Sequence, residues 1–514
     1  MQFQSVKRSE TFFYNDFLQD YLEGKGLDEL RTYAPKKESI LEAIKGKENF
    51  SVAQRNLLAD DLQSQYEESD IDISDTLVSS NIAKLRDENS FTITTGQQIH
   101  IGLGPLYVLY KIFDVVANAT RLSKEYPSYN FIPVFWMASE DHDLDEIREI
   151  PIFGKNFYWE TEQRGAVGRM NPDGISELFQ RLKDEFRFSD DQLAFIDYCQ
   201  GAYAESDSLS IAFRKILHRY FKSNGLVIID ADRKSLKNSF TSVLNDELAH
   251  RNYEALTTST EKLEKIGYKR QLVIRECNLF KIHKNERSKI KGRSDNPAVT
   301  AEEAYNFSPN AALRPFYQEW ILPNIMYVGG QSEVKYWMQL KGLFDNYKMP
   351  MPIVQLRTSV VLAPEKQVIS SGIDNISTFF KSDSELSDSL DDEFRVLNES
   401  LAGAHEDIEK AIVRYSELVK KRFKGFSLEG KINKIIPKVY ELKTLMSNQL
   451  VFEFKSEQKV QKALKIKTKY FNENNVQERT EHVLSHVHLL RNNEISVSLM
   501  FGFENQQVIN IIFL

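Results

Sequence analysis

The chain has 514 residues, 41% of them hydrophobic and 27% charged, and a formal net charge of -8. This profile excludes a disordered or fibrous chain, and its acidic balance argues against a general nucleic-acid binder, which needs a basic face. The length predicts about two to four domains. Cys199 and Cys277 are the only cysteines and stand far apart. That excludes a disulfide framework and a cysteine-rich zinc site, and it fits a reducing cytoplasm. The first residues lack the apolar core of a signal peptide, and no stretch approaches ~18 apolar residues, so no membrane partner is expected.

Residues 1–90 are polar with a helical pattern, for example at Ser39–Lys45 and Ser51–Ser69. The first clear strand is Phe91–Thr94. It leads into the turn Thr95-Gly96-Gln97-Gln98 and then Gly102, Gly104 and Pro105. A helix follows with Leu106, Leu109, Tyr110, Phe113 and Val116 on one face. The next strand, Phe131–Ala138, is apolar on both faces and therefore reads as central, although Pro133 prefers a strand edge. Strand, glycine turn, helix and strand make one βαβ unit of a parallel sheet. Helix 209–222 leads to a similar strand, Gly225–Asp230. Asn324–Val328 ends at Gly329-Gly330, followed by a helix through Tyr336 and Trp337 and the strand Met351–Leu356. From near 385, Leu390, Phe394, Leu397, Leu401, Ala404, Ile408, Ala411, Tyr415 and Leu418 recur at alternating 4 and 3 spacing, which predicts a heptad seam. A loop at 424–430 and a returning helix through Val439, Leu442 and Met446 suggest an antiparallel arm, with Pro437 starting or kinking the second helix. Helix 476–490 and two apolar strands close the chain.

Three clusters can carry chemistry. In the first, the turn after Phe91–Thr94 presents backbone amides where a phosphate can bind, and Lys111 can add charge. The competing reading is a tight turn needing positive φ, with Lys111 in solvent. His100-Ile101-Gly102 resembles three letters of the HIGH signature, but His100 stands alone and no role is assigned to it. The second cluster, Ser139-Glu140-Asp141-His142-Asp143, follows the apolar strand, where ligands sit in open α/β sheets. His142 is a candidate base, metal ligand or donor to an anion, and helix capping by Ser139 or Asp141 is the alternative. The third, Phe307–Pro315, holds Arg314 between apolar neighbours. Such an arginine needs an anionic substrate group or a structural partner.

TTGQQ with GPLYVLYK, then PVFWMASEDHDLDEI, FSPNAALRPFYQEWILPNIMYVGGQSEVKYW and NENNVQERTEHVL resemble the BshC family of bacillithiol biosynthesis over nearly the whole chain. Three positions depart from the family pattern: His100 in place of a small residue, Leu103 in place of a threonine, and Asn472 in place of a proline. The resemblance implies an α/β fold, a Rossmann-like parallel-sheet core akin to class I synthetases, with helical insertions and a long antiparallel coiled-coil arm that makes a homodimer. On that plan, 1–150, 206–235 and 321–375 form the core, 151–205 and 236–320 are connecting insertions, 376–470 is the arm and 471–514 packs back on the core. The implied activity is a carbon–nitrogen ligase joining cysteine to glucosaminyl-malate, with ATP activating the cysteine carboxylate as an adenylate and ADP or AMP leaving. Gly96, Gln97, Gln98, Gly104, Tyr107 and Lys111 are then expected at the nucleotide. Asp141, His142 and Asp143 are expected to be catalytic, and Arg314 to hold the malate carboxylate. Trp136, Glu140, Ser308, Asn310, Gly329, Gly330 and Glu333 complete the substrate side. The metal, if any, is left open. The rival is a non-catalytic nucleotide-binding scaffold for thiol-pathway partners. A weaker one is a nucleotidyltransferase acting on another amino sugar.

Overall fold

In the computed structural model, residues 3–283, 286–290, 298–373, 375–422, 429–454, 457–490 and 501–514 are described. The centre is a five-stranded sheet in which every pairing is parallel. Its spatial order is Ile353–Leu356, Asn324–Gly329, Ser90–Gln97, Asn130–Met137 and Val227–Asp230. Side chains alternate across the pleat, so Phe131, Phe135 and Met137 enter one core while Ile132, Val134 and Trp136 enter the other. Both faces are therefore covered, as a parallel sheet requires. The helix Leu106–Glu125 contributes Leu109, Phe113 and Val116 to the first core. Phe316 and Trp337 belong to the second.

The chain starts this sheet at Ser90–Gln97, builds outward in one direction to Val227–Asp230, and then returns to the opposite side at Asn324–Gly329. The order reverses between Ser90–Gln97 and Asn324–Gly329, which leaves a crevice beyond their carboxyl ends. Asn130–Met137 is an interior strand, flanked by Ser90–Gln97 and Val227–Asp230, as its two apolar faces predict. Its proline falls just before the stretch Val134–Met137 that pairs with Val227–Asp230, where the strand has a neighbour on one side only.

Gly96 and Gln97 lie inside the strand and not in a turn. Pairing with Asn130–Met137 continues through Gly96 opposite Trp136 and Gln97 opposite Met137. The C-terminal helix expected over 476–490 is also corrected. Only Gln477–Thr480 is α-helical, and the 3-10 segment Val483–Leu490 breaks at His486. This segment is shaped by its partner: the Leu106 amide donates to the Glu481 carbonyl and the Val483 amide to the Gly104 carbonyl. A second sheet holds the closing strand Val508–Phe513 between Phe3–Lys7, unforeseen in the polar N-terminal region, and Ser359–Ala363. Of the two closing strands expected, the first falls in 491–500, outside the described residues.

Two long helices, Asp383–Arg422 and Glu429–Phe454, pack on one another, with Pro437 inside the second. Among the described side chains of the first, Leu386, His405 and Ser416 are buried, with Leu401, Ile412 and Val419 half-buried. The predicted seam points elsewhere: Ala404, Ile408, Ala411, Tyr415 and Leu418 are exposed. The side chains of Leu390, Phe394 and Leu397, and most of the expected loop, lie outside the described residues. Among the described residues, no helix is long and apolar enough to cross a membrane.

Candidate functional site

A cavity of about 990 Å³ opens at the strand-order reversal. Its floor is the carboxyl ends of three strands. Gly96, Gln97 and Gln98 come from the first, Glu140, Asp141 and His142 follow the second, and Gly330 to Glu333 follow Asn324–Gly329. Tyr107, Lys111, Trp136, Asn310 and Arg314 also line it. The predicted clusters thus meet in one place, although the third lies far along the chain from the first two.

Asp143, Gly104, Ser308 and Gly329 do not line the cavity. Asp143 caps the short helix Leu144–Ile147, accepting from the Glu146 amide at 3.2 Å. Gly104 has φ 72°, and a Cβ there would stand 2.4 Å from His100 Cβ. The turn glycine therefore makes room for a side chain and supports the tight-turn reading. Ser308 is buried, and its hydroxyl accepts from Arg287 Nε at 3.2 Å. Gly329 stays within its strand, close to Tyr327 and Glu333.

Lys111 is neither in solvent nor free for a phosphate. Its buried ammonium meets the Gly96 carbonyl at 2.9 Å, Gln97 Oε1 at 3.0 Å and Glu333 Oε2 at 2.5 Å. Those acceptors use all its protons. Burial pulls the Lys111 pKa down, and Glu333 pushes back. Glu333 in turn accepts from the Tyr327 hydroxyl at 2.6 Å and the Gly330 amide at 2.8 Å, so it braces the Gly330 turn.

Glu140 is likewise committed to a partner. Buried Lys237 lies 2.6 Å from it and 2.7 Å from Asp232, which also takes Arg169 at 2.5 Å. Burial raises the Glu140 pKa, with Lys237 opposing. This chain of charges fixes the base of the Ser139–Asp143 segment from below.

Asp141 and His142 face the opening, about one-third and one-half exposed (35% and 49%). Asp141 Oδ2 accepts from Gln98 Nε2 at 3.0 Å. Arg287 Nη1 stands 2.9 Å from His142 Nδ1 and 3.5 Å from Asp141. The same Nδ1 lies 3.2 Å from Asp141 Oδ1, so it stands between a guanidinium that only donates and a carboxylate that only accepts.

Arg314 bonds only neutral groups, Gln318 Oε1 at 3.1 Å and the Tyr336 hydroxyl at 3.4 Å, and lies near the Trp136 and Tyr327 rings. Among the described residues it has no ion pair within 4.0 Å, so its charge is available to a ligand.

The comparisons agree with this architecture. Residues 1–358 match the family model described as "Bacillithiol biosynthesis BshC, N-terminal Rossmann-like domain". The chain belongs to the BshC family. A Flavobacterium johnsoniae relative is 38% identical over 71% of this chain and 72% of its own. One from Cytophaga hutchinsonii is 36% identical over 65% of each chain, and one from Staphylococcus aureus is 28% identical over 53% and 56%. Each of these relatives is named "Putative cysteine ligase BshC".

Several lining residues of this family member escaped the sequence reading. Arg275, Arg287, Arg357 and Arg479 carry much of the positive charge of the wall. Arg357 is tied to Glu478 at 2.5 Å, whereas Arg275 and Arg479 have no ion pair among the described residues. His100 and Glu146 also line the cavity. None of these sits in a local pattern. Among the described residues, no group of three or more His, Cys, Asp and Glu is placed to hold a metal ion.

Proposed function

We propose that this protein forms the amide bond between the carboxyl of cysteine and the amine of glucosaminyl-malate in the last step of bacillithiol biosynthesis, with a nucleotide activating the carboxyl. The observation that carries the reading is Arg314, without an ion pair among the described residues, in a cavity large enough for several small ligands that the Asp141–His142 pair also lines. Family membership supplies the substrate class.

Arg314 holds the malate carboxylate through charge-assisted hydrogen bonds. Arg275 and Arg479 carry the charge suited to nucleotide phosphates, and their lack of ion-pair partners among the described residues fits that use. Lys111 acts at one remove by holding Glu333 and the Gly330 turn. A bound nucleotide would supply the leaving group that makes the carboxyl open to attack. Asp141 takes the proton of the incoming amine, since its carboxylate is exposed beside the reacting end. His142 donates from Nε2 to the oxygen that gains charge as the carbonyl is attacked. Positioning and charge stabilisation then carry the rate, with no covalent enzyme intermediate.

The reading extends to assembly. Ile408, Tyr415 and Leu418 on one arm helix, and Leu442, Leu445 and Met446 on the other, are exposed apolar side chains. Such a surface suits a second copy of the chain.

Purified protein incubated with cysteine, glucosaminyl-malate and ATP tests the activity. Mass spectrometry is expected to show a thiol-bearing amide whose formation requires every component. Absence of product, with no binding of glucosaminyl-malate by calorimetry, would remove the proposal.

A further inference from the structure

Cations and carboxyls both line the cavity, and Asp141, Asp145, Glu146 and Glu149 are carboxyls of the segment that follows Asn130–Met137. Most of these carboxyls are accounted for. Asp145 pairs with Arg148 at 2.8 Å, Asp141 lies 3.5 Å from Arg287, and Glu149 accepts from the Tyr158 hydroxyl at 3.1 Å. Glu146 differs. Its neighbour is His100 Nε2 at 4.0 Å, and among the described residues it has no lysine or arginine at ion-pair distance. His100 does not neutralise it, because burial lowers the His100 pKa to about 3 and keeps the ring uncharged. Burial, with Asp143 and Asp141, raises the Glu146 pKa, and a hydrogen bond to Gln98 and the Lys111 charge oppose the shift without cancelling it.

A second observation lies beside it. His100 is only 3% exposed, lines the cavity, and has no hydrogen-bond partner at Nε2. Gln98 is oriented by its bond to Asp141, and its carbonyl Oε1 is buried and also without a partner. Unsatisfied buried acceptors are costly unless a ligand satisfies them. With the His100 proton on Nδ1, the wall offers a ring nitrogen, an amide oxygen and a carboxylate. An alkylammonium group presents three N–H donors and one positive charge. The two sets match in number and in sign.

We propose that His100, Gln98 and Glu146 form an ammonium subsite that receives the α-ammonium group of the amino-acid substrate. Only the identity of that substrate as cysteine rests on the ligase reading. The subsite places the ammonium beside Glu146 and leaves the carboxyl to the arginines that also line the cavity. It also keeps this amine apart from the one that attacks. Gly104 is part of the device, since a side chain there would displace His100.

Calorimetry on the full chain with three probes tests the subsite: cysteine, cysteamine (ammonium without carboxyl) and 3-mercaptopropionate (carboxyl without ammonium). In Glu146→Gln, affinity for cysteine and cysteamine is expected to fall about tenfold or more, while that for 3-mercaptopropionate holds. His100→Ala is expected to give the same ranking with a smaller loss, and unchanged 3-mercaptopropionate binding shows that the cavity is still folded. Equal losses for all three probes, or none for cysteine in Glu146→Gln, would overturn the subsite. So would a wild-type protein that binds neither ammonium probe at millimolar concentration. Glu146-dependent cysteamine binding in a protein that forms no amide would instead sustain the subsite and sink the ligase reading.

Discussion

At the scale of single residues, what separates a structural charge from a functional one here is whether its partner is already present. Glu140 and Lys111 have theirs within 2.6 Å. Arg314 is held by neutral groups alone. Arg314→Ala is therefore expected to weaken glucosaminyl-malate binding by about 10- to 100-fold, the worth of a charge-assisted hydrogen bond, with little change in the unfolding midpoint. Calorimetry and thermal denaturation on the same variant check both halves, and a stability loss with unchanged affinity would recast Arg314 as structural. The residue types of this site were partly legible in the sequence. Acids directly after an apolar strand stand out because packing does not call for them there. Glu146 read only as an acid at a helix N-terminus, and Arg275 and Arg287 were not legible, since a lone charge in a connecting segment looks like any solvated one. His100 was passed over for the same reason: its neighbours Glu146 and His482 come from other parts of the chain.

At the scale of elements, the turn after the first core strand is held by a segment almost four hundred residues later. His482 Nε2 donates to the Ile101 carbonyl at 2.9 Å, and its Nδ1 accepts from the Leu484 amide at 3.0 Å. Both ring nitrogens are committed to the neutral form, and burial lowers the His482 pKa to about 4. The unfolded chain protonates this ring near pH ~6.5, so its contribution to stability is complete above that value and is lost as pH falls through it toward about 4. His100 adds a loss of the same sign. Asp114, raised to about 6 by burial, acts oppositely, its contribution fading as pH rises through its folded value. Comparing wild type with His482→Gln cancels the unaltered groups. The wild-type denaturant midpoint is expected to drop more between about pH 7.5 and 5 than that of the variant; equal drops would mean that the ring is already charged in the fold. This docking also explains what could be read of the fold. The βαβ pattern around Leu106–Glu125 is local and was visible. Extension of the first strand through Gly96 and Gln97 depends on pairing with Trp136 and Met137, and glycine alone suggests a turn. The break in the C-terminal helix depends on Gly104 and Ile101 and has no local signal.

At the scale of the whole molecule, the arm leaves a surface that the single chain does not use. Tyr415 is 67% exposed, Leu418 58% and Leu445 61%, although their spacing would suit a buried seam. The heptad pattern was legible, but its orientation was not, because periodicity does not say which helix a stripe meets. Within the chain, Asp383–Arg422 buries Leu386, His405 and Ser416 among its described side chains. Apolar side chains grouped on an exposed arm are costly unless something covers them, and a two-fold related copy offers the same stripe in return. Replacing Tyr415 and Leu418 together with Glu places like charges at such an interface, where desolvation and repulsion both oppose contact. Light scattering after size exclusion is expected to give a dimer for the wild type and a monomer for the double variant. Folding of the core is expected to be unaffected, since both positions are remote from the sheet in sequence and exposed in the chain. A wild type that stays monomeric at all concentrations would leave the stripe to another partner, whereas a variant that stays dimeric would place the interface elsewhere. Because the cavity is formed within one chain, the monomeric variant is also expected to keep its affinity for cysteine. Loss of that affinity together with the dimer would instead tie the site to assembly.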